Sequence, residues 1–299
     1  MPSLFLLELS VSILFCFLSA RLSAQANPLF FHHLTAAEGL SESTNANLYR
    51  DSRGFVWVSS VDGLNRFDGL TVRVYRPHAQ KPRTMFGQNV LSPFFEDAEG
   101  NIWFCTYEAI NCYRRRSDDF EHWQLADPTT GDTIREDYYA FFLERSGRLW
   151  LHLGDKEKGY IYCFNTKSKQ YEQLGPLLGD RCVADTSAEG TLRGVYAFLY
   201  GIAGGLTWAP VSPDRRMGDT RLLEPTIMPF DLWIQNDTLV WIGAREGLIA
   251  FHPQAPRTSG ALSNQYDRKN RHPGDRTIIR PIFGPGFLWS RSVAVRPGT

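Results

Sequence analysis

The chain has 299 residues, enough for one large domain or two ordinary ones with an ample core. Lysine plus arginine equal aspartate plus glutamate at 32 each, which excludes a long-range field for nucleic acid or an anionic membrane. Aromatic residues make up 13% and recur at intervals, a composition that favours β-structure over a helical bundle.

The first 26 residues stand apart. "LFLLELSVSILFCFLSA" is an apolar run, and "SAQA" (Ser23 to Ala26) supplies the small residues of a cleavage site before Asn27. This predicts a secretory signal peptide over residues 1–26 and an exported, periplasmic chain with no transmembrane span once it is removed. The n-region lacks Lys and Arg. Glu8 and the early Arg21 argue against an uncleaved anchor, and Cys16 lacks the preceding small residue of a lipoprotein signal. Cys105, Cys112, Cys163 and Cys182 remain. Cys105 and Cys112 flank a predicted tight turn, where a hairpin disulfide and two buried free thiols are both open readings.

From residue 27 to the end one phrase returns. "DSRGFVWVSSVDGLNRFDG" around Trp57 reappears as "DAEGNIWFCTYEAINCY" around Trp103 and "ERSGRLWLHLG" around Trp150. It comes again as "NDTLVWIGAREGLIAF" around Trp241 and "GPGFLWSRSVAV" around Trp289. The double step from Trp150 to Trp241 predicts a degenerate copy, found in "SAEGTLRGVYAF" with Arg193 at the Trp position. Gly54, Gly100, Gly147, Gly190 and Gly286 precede their anchors by three residues; Thr238 is the exception.

In the first copy, strands are expected over 46–51, 55–60, 64–68 and 71–77, joined by Asp- and Gly-bearing turns. Four-stranded units at a period of about 40 to 50 residues mark a β-propeller. The expected fold is thus an all-β propeller of four-stranded antiparallel blades, about six recognisable, anchored at Trp57, Trp103, Trp150, Arg193, Trp241 and Trp289. The Trp is expected to fill the wedge between neighbouring blades. "FFHHLT" (30–35) resembles a fourth strand, and "RTSGALSNQYDRKNRHPGDR" (257–276) reads as a flexible excursion. The stretch 201–219 reads as irregular, with Trp208 out of phase. The last copy is cut short, so the ring is read as incomplete and the chain as a fragment.

"LTAAEGLSES" (34–43) followed by "RDSRGFVWVSSVDGLNRFDG" (50–69) resembles the two-component regulator propeller repeat, with Glu38 in place of the usual Asp. The resemblance implies a ligand-binding periplasmic sensor region of hybrid histidine kinases and related regulators, often tied to glycans. It also implies downstream signalling domains or a partner chain. The kinase and DNA-binding parts of such proteins have no counterpart in this sequence, so no kinase chemistry carries over.

No GxSxG, HExxH or P-loop occurs, and no cofactor or metal is expected. His32 and His33 are adjacent strand residues that point to opposite faces. "YRRRSDDF" (113–120) reads as a solvated loop between third and fourth strands. Propeller geometry favours ligand binding where the innermost strands begin. Fourteen residues before the anchors lie Ser43, Asn89, Glu136 and Asp275; the first three are taken as candidate ligand-binding residues, with Tyr138 or Tyr139 as a stacking face for an oligosaccharide. A secreted scaffold for protein contacts and an exported polysaccharide lyase or glycosidase are the competing readings, because fold does not fix function.

Overall fold

The computed structural model describes residues 34–251, except 43–44, 91, 155–158, 178, 201–204, 225–226, 238 and 246, and also the strand Leu262–Asp267. The expected signal peptide, His32–His33 and the Trp289 copy lie outside the described residues. All the strands belong to one compact unit, Thr35–Thr299.

Five four-stranded antiparallel sheets follow one another around a propeller, each in simple meander order. Blade one is β1 (Asn45–Arg50), β2 (Val56–Ser60), β3 (Gly63–Phe67) and β4 (Val72–Tyr75). Blade two is β5 (Phe95–Glu96), β6 (Ile102–Cys105), β7 (Ile110–Arg114) and β8 (Asp119–Trp123). Blade three is β9 (Tyr138–Leu143), β10 (Arg148–Gly154), β11 (Gly159–Asn165) and β12 (Tyr171–Pro176). Blade four is β13 (Arg181–Thr186), β14 (Leu192–Phe198), β15 (Leu206–Pro210) and β16 (Arg221–Glu224). Blade five is β17 (Pro229–Asn236), β18 (Leu239–Ala244), β19 (Gly247–Phe251) and β20 (Leu262–Asp267).

The blade count is therefore five among the described residues, not about six. The degenerate copy at Arg193 is a full blade. Two stretches read as irregular contain strands: β15 lies within 201–219, and β20 lies within the expected excursion 257–276, paired with β19 from Gly247↔Asp267 to Phe251↔Leu262. Each pairs antiparallel with the strand before it across a connection longer than a two-residue tight turn.

The turns and wedges are as the repeat predicts. Gly54, Gly100, Gly147 and Gly190 take φ values of 89°, 81°, 88° and 80°, the left-handed backbone in which a Cβ is strained. In blade one the Asp51 carboxylate accepts the amides of Arg53 and Phe55 on Oδ1, each at 3.0 Å, and the indole N–H of Trp57 on Oδ2 at 2.9 Å. Asp97 repeats this with Glu99, Asn101 and the Trp103 indole, the last at 2.8 Å. Glu144 accepts from Trp150 at 3.0 Å, and the Gln235 amide oxygen accepts from Trp241 at 2.8 Å.

Fixed in this way, Trp57, Trp103 and Trp150 enter the gaps between sheets, whereas the expected anchor Trp241 is only half-buried and belongs to none of the buried clusters. Trp57 packs with Ile102, Phe104 and Tyr113 of blade two, its ring 4.8 Å from that of Tyr113. Trp103 packs against Leu149, Leu151 and Phe164 of blade three, and Trp150 against Cys182, Val195 and Ala197 of blade four. All three are at most 2% exposed, so each removes an aromatic face of about 150–250 Å² from water. At about 25 cal/mol per Å² that is on the order of 4–6 kcal/mol per wedge before ordering entropy is charged. Between blades four and five the wedge comes from elsewhere: Tyr196 and Trp208 fill it, and Trp208 lies so close over Gly194 that an added Cβ would sit 2.5 Å from its ring nitrogen. Arg193 leaves the core and donates to Asp185 of its own blade and Asp237 of blade five, both at 2.7 Å.

The thiols do not pair. In the β6–β7 hairpin Cys105 faces Ile110 and Cys112 faces Trp103, so the register separates them, and all four cysteines are buried and free. Burial pushes the Cys163 thiol up to about 11, so it stays an unreactive core group. The run "YRRRSDDF" is also less solvated than its composition suggests. Arg115 is 6% exposed and joins the fully buried Asp51 of blade one at 2.8 Å and Glu96 of its own blade at 3.1 Å. Asp118 accepts from the hydroxyls of Tyr75 and Tyr113 at 2.9 and 2.7 Å, tying blade one to blade two.

Removing the cation leaves the Asp51 carboxylate buried with its amide and indole hydrogen bonds but no counter-charge. Arg115→Leu is expected to cost about 3–5 kcal/mol of unfolding free energy, whereas Arg83→Ala, at an exposed pair with Asp119, stays within about 1 kcal/mol. Urea denaturation of the two variants beside the parent measures the difference; equal costs would refute the interblade role of Arg115.

Candidate functional site

Each innermost strand runs from the mouth of the propeller to the Asp-Gly turn, and the second strand runs back. In blade three, Tyr139 pairs with His152 at the mouth end, while Leu143 pairs with Leu149 beside the turn. The mouth is thus lined by the first residues of the inner strands and by the links from second to third strands. Contacts among β5, β9, β13 and β17 bring these strand starts together.

Four blades contribute to one cluster there. Arg181, which opens β13, lies with its guanidinium carbon 5.0 Å from the ring centroid of Tyr139 and 5.4 Å from that of Tyr200. Tyr200 meets Phe230 of β17 edge-to-face at 5.6 Å. Tyr107, from the β6–β7 link, is within electrostatic reach of Asp137, Arg181 and Asp180. Asp180 accepts the Tyr200 amide at 2.7 Å, and the Asp231 carboxylate accepts the amide of Leu232 at 2.8 Å. Arg181 forms no ion pair within 4.0 Å among the described residues; its guanidinium donates to the Asp180 carbonyl at 3.0 Å. Tyr107 and Phe230 are each 37% exposed.

The electrostatics follow from partial burial. Burial pushes the Tyr139 phenol up to about 12; Asp231 and Asp180 add to the shift and Arg181 opposes it. Burial raises the half-buried Asp231 to about 7, against the pull of the Leu232 amide and of Arg181. The mouth therefore presents aromatic rings, a cation held between two of them, and a carboxyl that is only partly charged at neutral pH.

The residues singled out fourteen positions before the anchors fare differently. Ser43 lies outside the described residues, as does Asp275. Asn89 is half-buried in left-handed backbone with φ 56°, and its Oδ1 has no hydrogen-bond partner among the described residues. Glu136 is exposed and lies within electrostatic reach of Tyr162, on the third strand of its blade. No hydrogen bond or ion pair joins Asn89 to Glu136 among the described residues. Of the two tyrosines, Tyr138 is buried between blades two and three, its hydroxyl accepting from Leu125 and donating to Ile134, while Tyr139 packs against the core between blades three and four with its ring beside Arg181. Alternation along β9 separates them.

A closer offset would have found the cluster. Tyr139 and Phe230 both lie eleven residues before their anchors, Trp150 and Trp241, inside the strand rather than in the loop before it. Two asparagines were also missed. Asn65 and Asn111 lie eight residues after Trp57 and Trp103 and accept the amides of Ser41 and Phe86, both at 2.8 Å, seating the incoming chain on each blade. At the opposite end of the blades, a groove lined by Tyr49, Ser52, Glu96, Asp97 and Arg115 is already satisfied: Glu96 accepts from the Ser52 amide and hydroxyl and from Arg115. It is a lock between blades.

Because folded Asp231 titrates near 7 and an unfolded aspartate near 3.8, the folded chain holds an extra proton between those values, and stability falls as pH rises through that window. Asp231→Asn is expected to melt with the parent at pH 4 and above it at pH 8, the gap opening between. Thermal unfolding across that range checks this; a gap independent of pH would contradict it.

No family model matches the chain. A stretch of 64 residues is 44% identical to histidine kinase P4 of Formosa agariphila, covering 21% of this chain and 5% of that protein. Among solved structures, the extracellular domain assigned to a hybrid two-component system of B. thetaiotaomicron aligns with a TM-score of 0.59 at 18% identity, over 78% of this chain and 31% of that one. Another from the same organism gives 0.58 at 23% identity, over 76% and 32%. Luciferin-regenerating enzyme aligns at 0.51 and 12% identity, over 77% and 78%, so the same fold also houses catalysis. This chain spans about a third of the length of the two sensor-domain structures and a twentieth of the kinase. The resemblance carried by the repeats thus holds in fold and in part of the sequence: the chain is similar in fold to extracellular domains of two-component systems and, over 64 residues, in sequence to a histidine kinase.

Proposed function

We propose that the chain is the propeller part of a periplasmic ligand sensor in a two-component system, and that its ligand is a glycan. The observation that carries this reading is the aromatic, Arg- and Asp-bearing mouth, on a propeller chain of which 64 residues match a histidine kinase at 44% identity. Aromatic faces beside a few convergent polar groups are the usual composition of a site for a polyhydroxylated ring. Export by the segment 1–26 and signalling through further domains or a partner chain belong to the same reading. Among the described residues no helix is long and apolar enough to cross a membrane. A ligand that binds one packing of the blades better than another shifts the population between them, which is all a sensor needs.

The carboxylates at the mouth keep a hydrolase in view, since glycosidases place two about 5 to 10 Å apart. One experiment separates the readings. The chain is titrated by calorimetry with a broad oligosaccharide panel, and the mixtures are then chromatographed. Heat without product is the expected result. Product would make the chain an enzyme, and silence across the panel would remove the glycan reading.

A further inference from the structure

We infer that the mouth takes a neutral sugar, stacked on the exposed rings of Phe230 and Tyr107 and hydrogen-bonded through the Arg181 guanidinium and the Asp231 carboxyl. This rests on the glycan-sensing reading above and adds the place and the chemical class.

The first reason is surface chemistry. Among the large hydrophobic side chains left exposed in the described residues, the aromatic ones are Tyr107 and Phe230, and both border this cluster. Phe230, from blade five, joins the cluster through the ring of Tyr200, and Tyr107, from blade two, lies within electrostatic reach of Arg181. The second reason is preorganisation. Arg181 is held by the rings of Tyr139 and Tyr200, 5.0 and 5.4 Å away, and has no ion pair among the described residues. A guanidinium held between two rings, with N–H groups not spent on an ion pair, loses little entropy on binding.

The third reason selects the class. Around Arg181, the described carboxylates within electrostatic reach of the two mouth tyrosines are Asp137, Asp180 and Asp231. A uronate or sulfated sugar entering here meets those carboxylates, and a cationic ligand meets Arg181. A pair of neighbouring hydroxyls suits both: it accepts from the guanidinium and donates to a carboxylate, while the C–H face of the ring covers an aromatic.

The test uses the full chain. Neutral gluco-, manno- and xylo-oligosaccharides form one calorimetric panel, and oligogalacturonates with sulfated oligosaccharides form the other. The variants are Phe230→Ala, Tyr107→Ala and Asp231→Asn, with Leu222→Ala, an exposed residue on β16, as control. Phe230→Ala also removes the edge-to-face contact with Tyr200 and is expected to melt somewhat below the parent, whereas Tyr107→Ala is expected to melt with it and so reads binding alone. The expected result is binding from the neutral panel that weakens about tenfold in the Phe230 and Tyr107 variants, and also in Asp231→Asn, but not in the control. Neutral-sugar binding untouched by the three mouth variants would overturn this site and leave glycan sensing in place. Binding from the charged panel alone would overturn the neutral class, again leaving glycan sensing. No heat from either panel would instead remove the reading beneath, and this inference with it.

Discussion

One side-chain acceptor per repeat, in its clearest form the carboxylate of Asp51 or Asp97, holds a blade in shape. Its first oxygen accepts two turn amides and its second accepts the indole N–H six residues on. The turn and the wedge are thereby one object. A buried indole donor without a partner costs free energy, and a Gly turn without its acid would leave amides unpaired. Placing both on one side chain fixes how far the Trp projects between sheets, and so fixes the spacing of successive blades.

The other copies show which part of this arrangement matters. Glu144 reaches the Trp150 indole with a longer arm, and Gln235 does the same for Trp241 with a neutral oxygen. In blade four the donor itself is replaced. Arg193 donates to Asp185, eight residues earlier, and to Asp237 in the next blade. A guanidinium cannot serve as an apolar wedge, so Trp208 from the third strand and Tyr196 take that role. What recurs is a donor on the second strand facing an acceptor beside the turn; the apolar volume is supplied from whichever strand can reach.

These relations explain what could be read from sequence. Glycines at φ near 80–89° and Trp at a fixed distance are local requirements, repeated in place, and they revealed the period and the meander of each blade. The pairings of β15 and β20 were not legible, because strand formation there depends on a partner already placed rather than on apolar alternation within the segment. Asn65 and Asn111 were equally silent, since an asparagine declares its role only once the passing chain that it holds is located.

The mouth was harder still, and for a reason built into the fold. The repeat pattern is enforced at the turn end of each blade, where the acid, the Gly and the Trp must meet. At the other end of the same strands nothing enforces sameness. Eleven residues before the anchors of blades one to five stand Ala46, Ser92, Tyr139, Cys182 and Phe230, with no shared residue type beyond the two rings. Ser92 bonds the Cys105 amide within blade two, and the two rings border Arg181. A propeller uses repetition to close its sheets against one another and departs from it where a ligand must be told from its neighbours. The same offset that carries no motif is therefore the place to look for recognition: periodicity identifies the scaffold, and the residues that break it at the mouth identify the site.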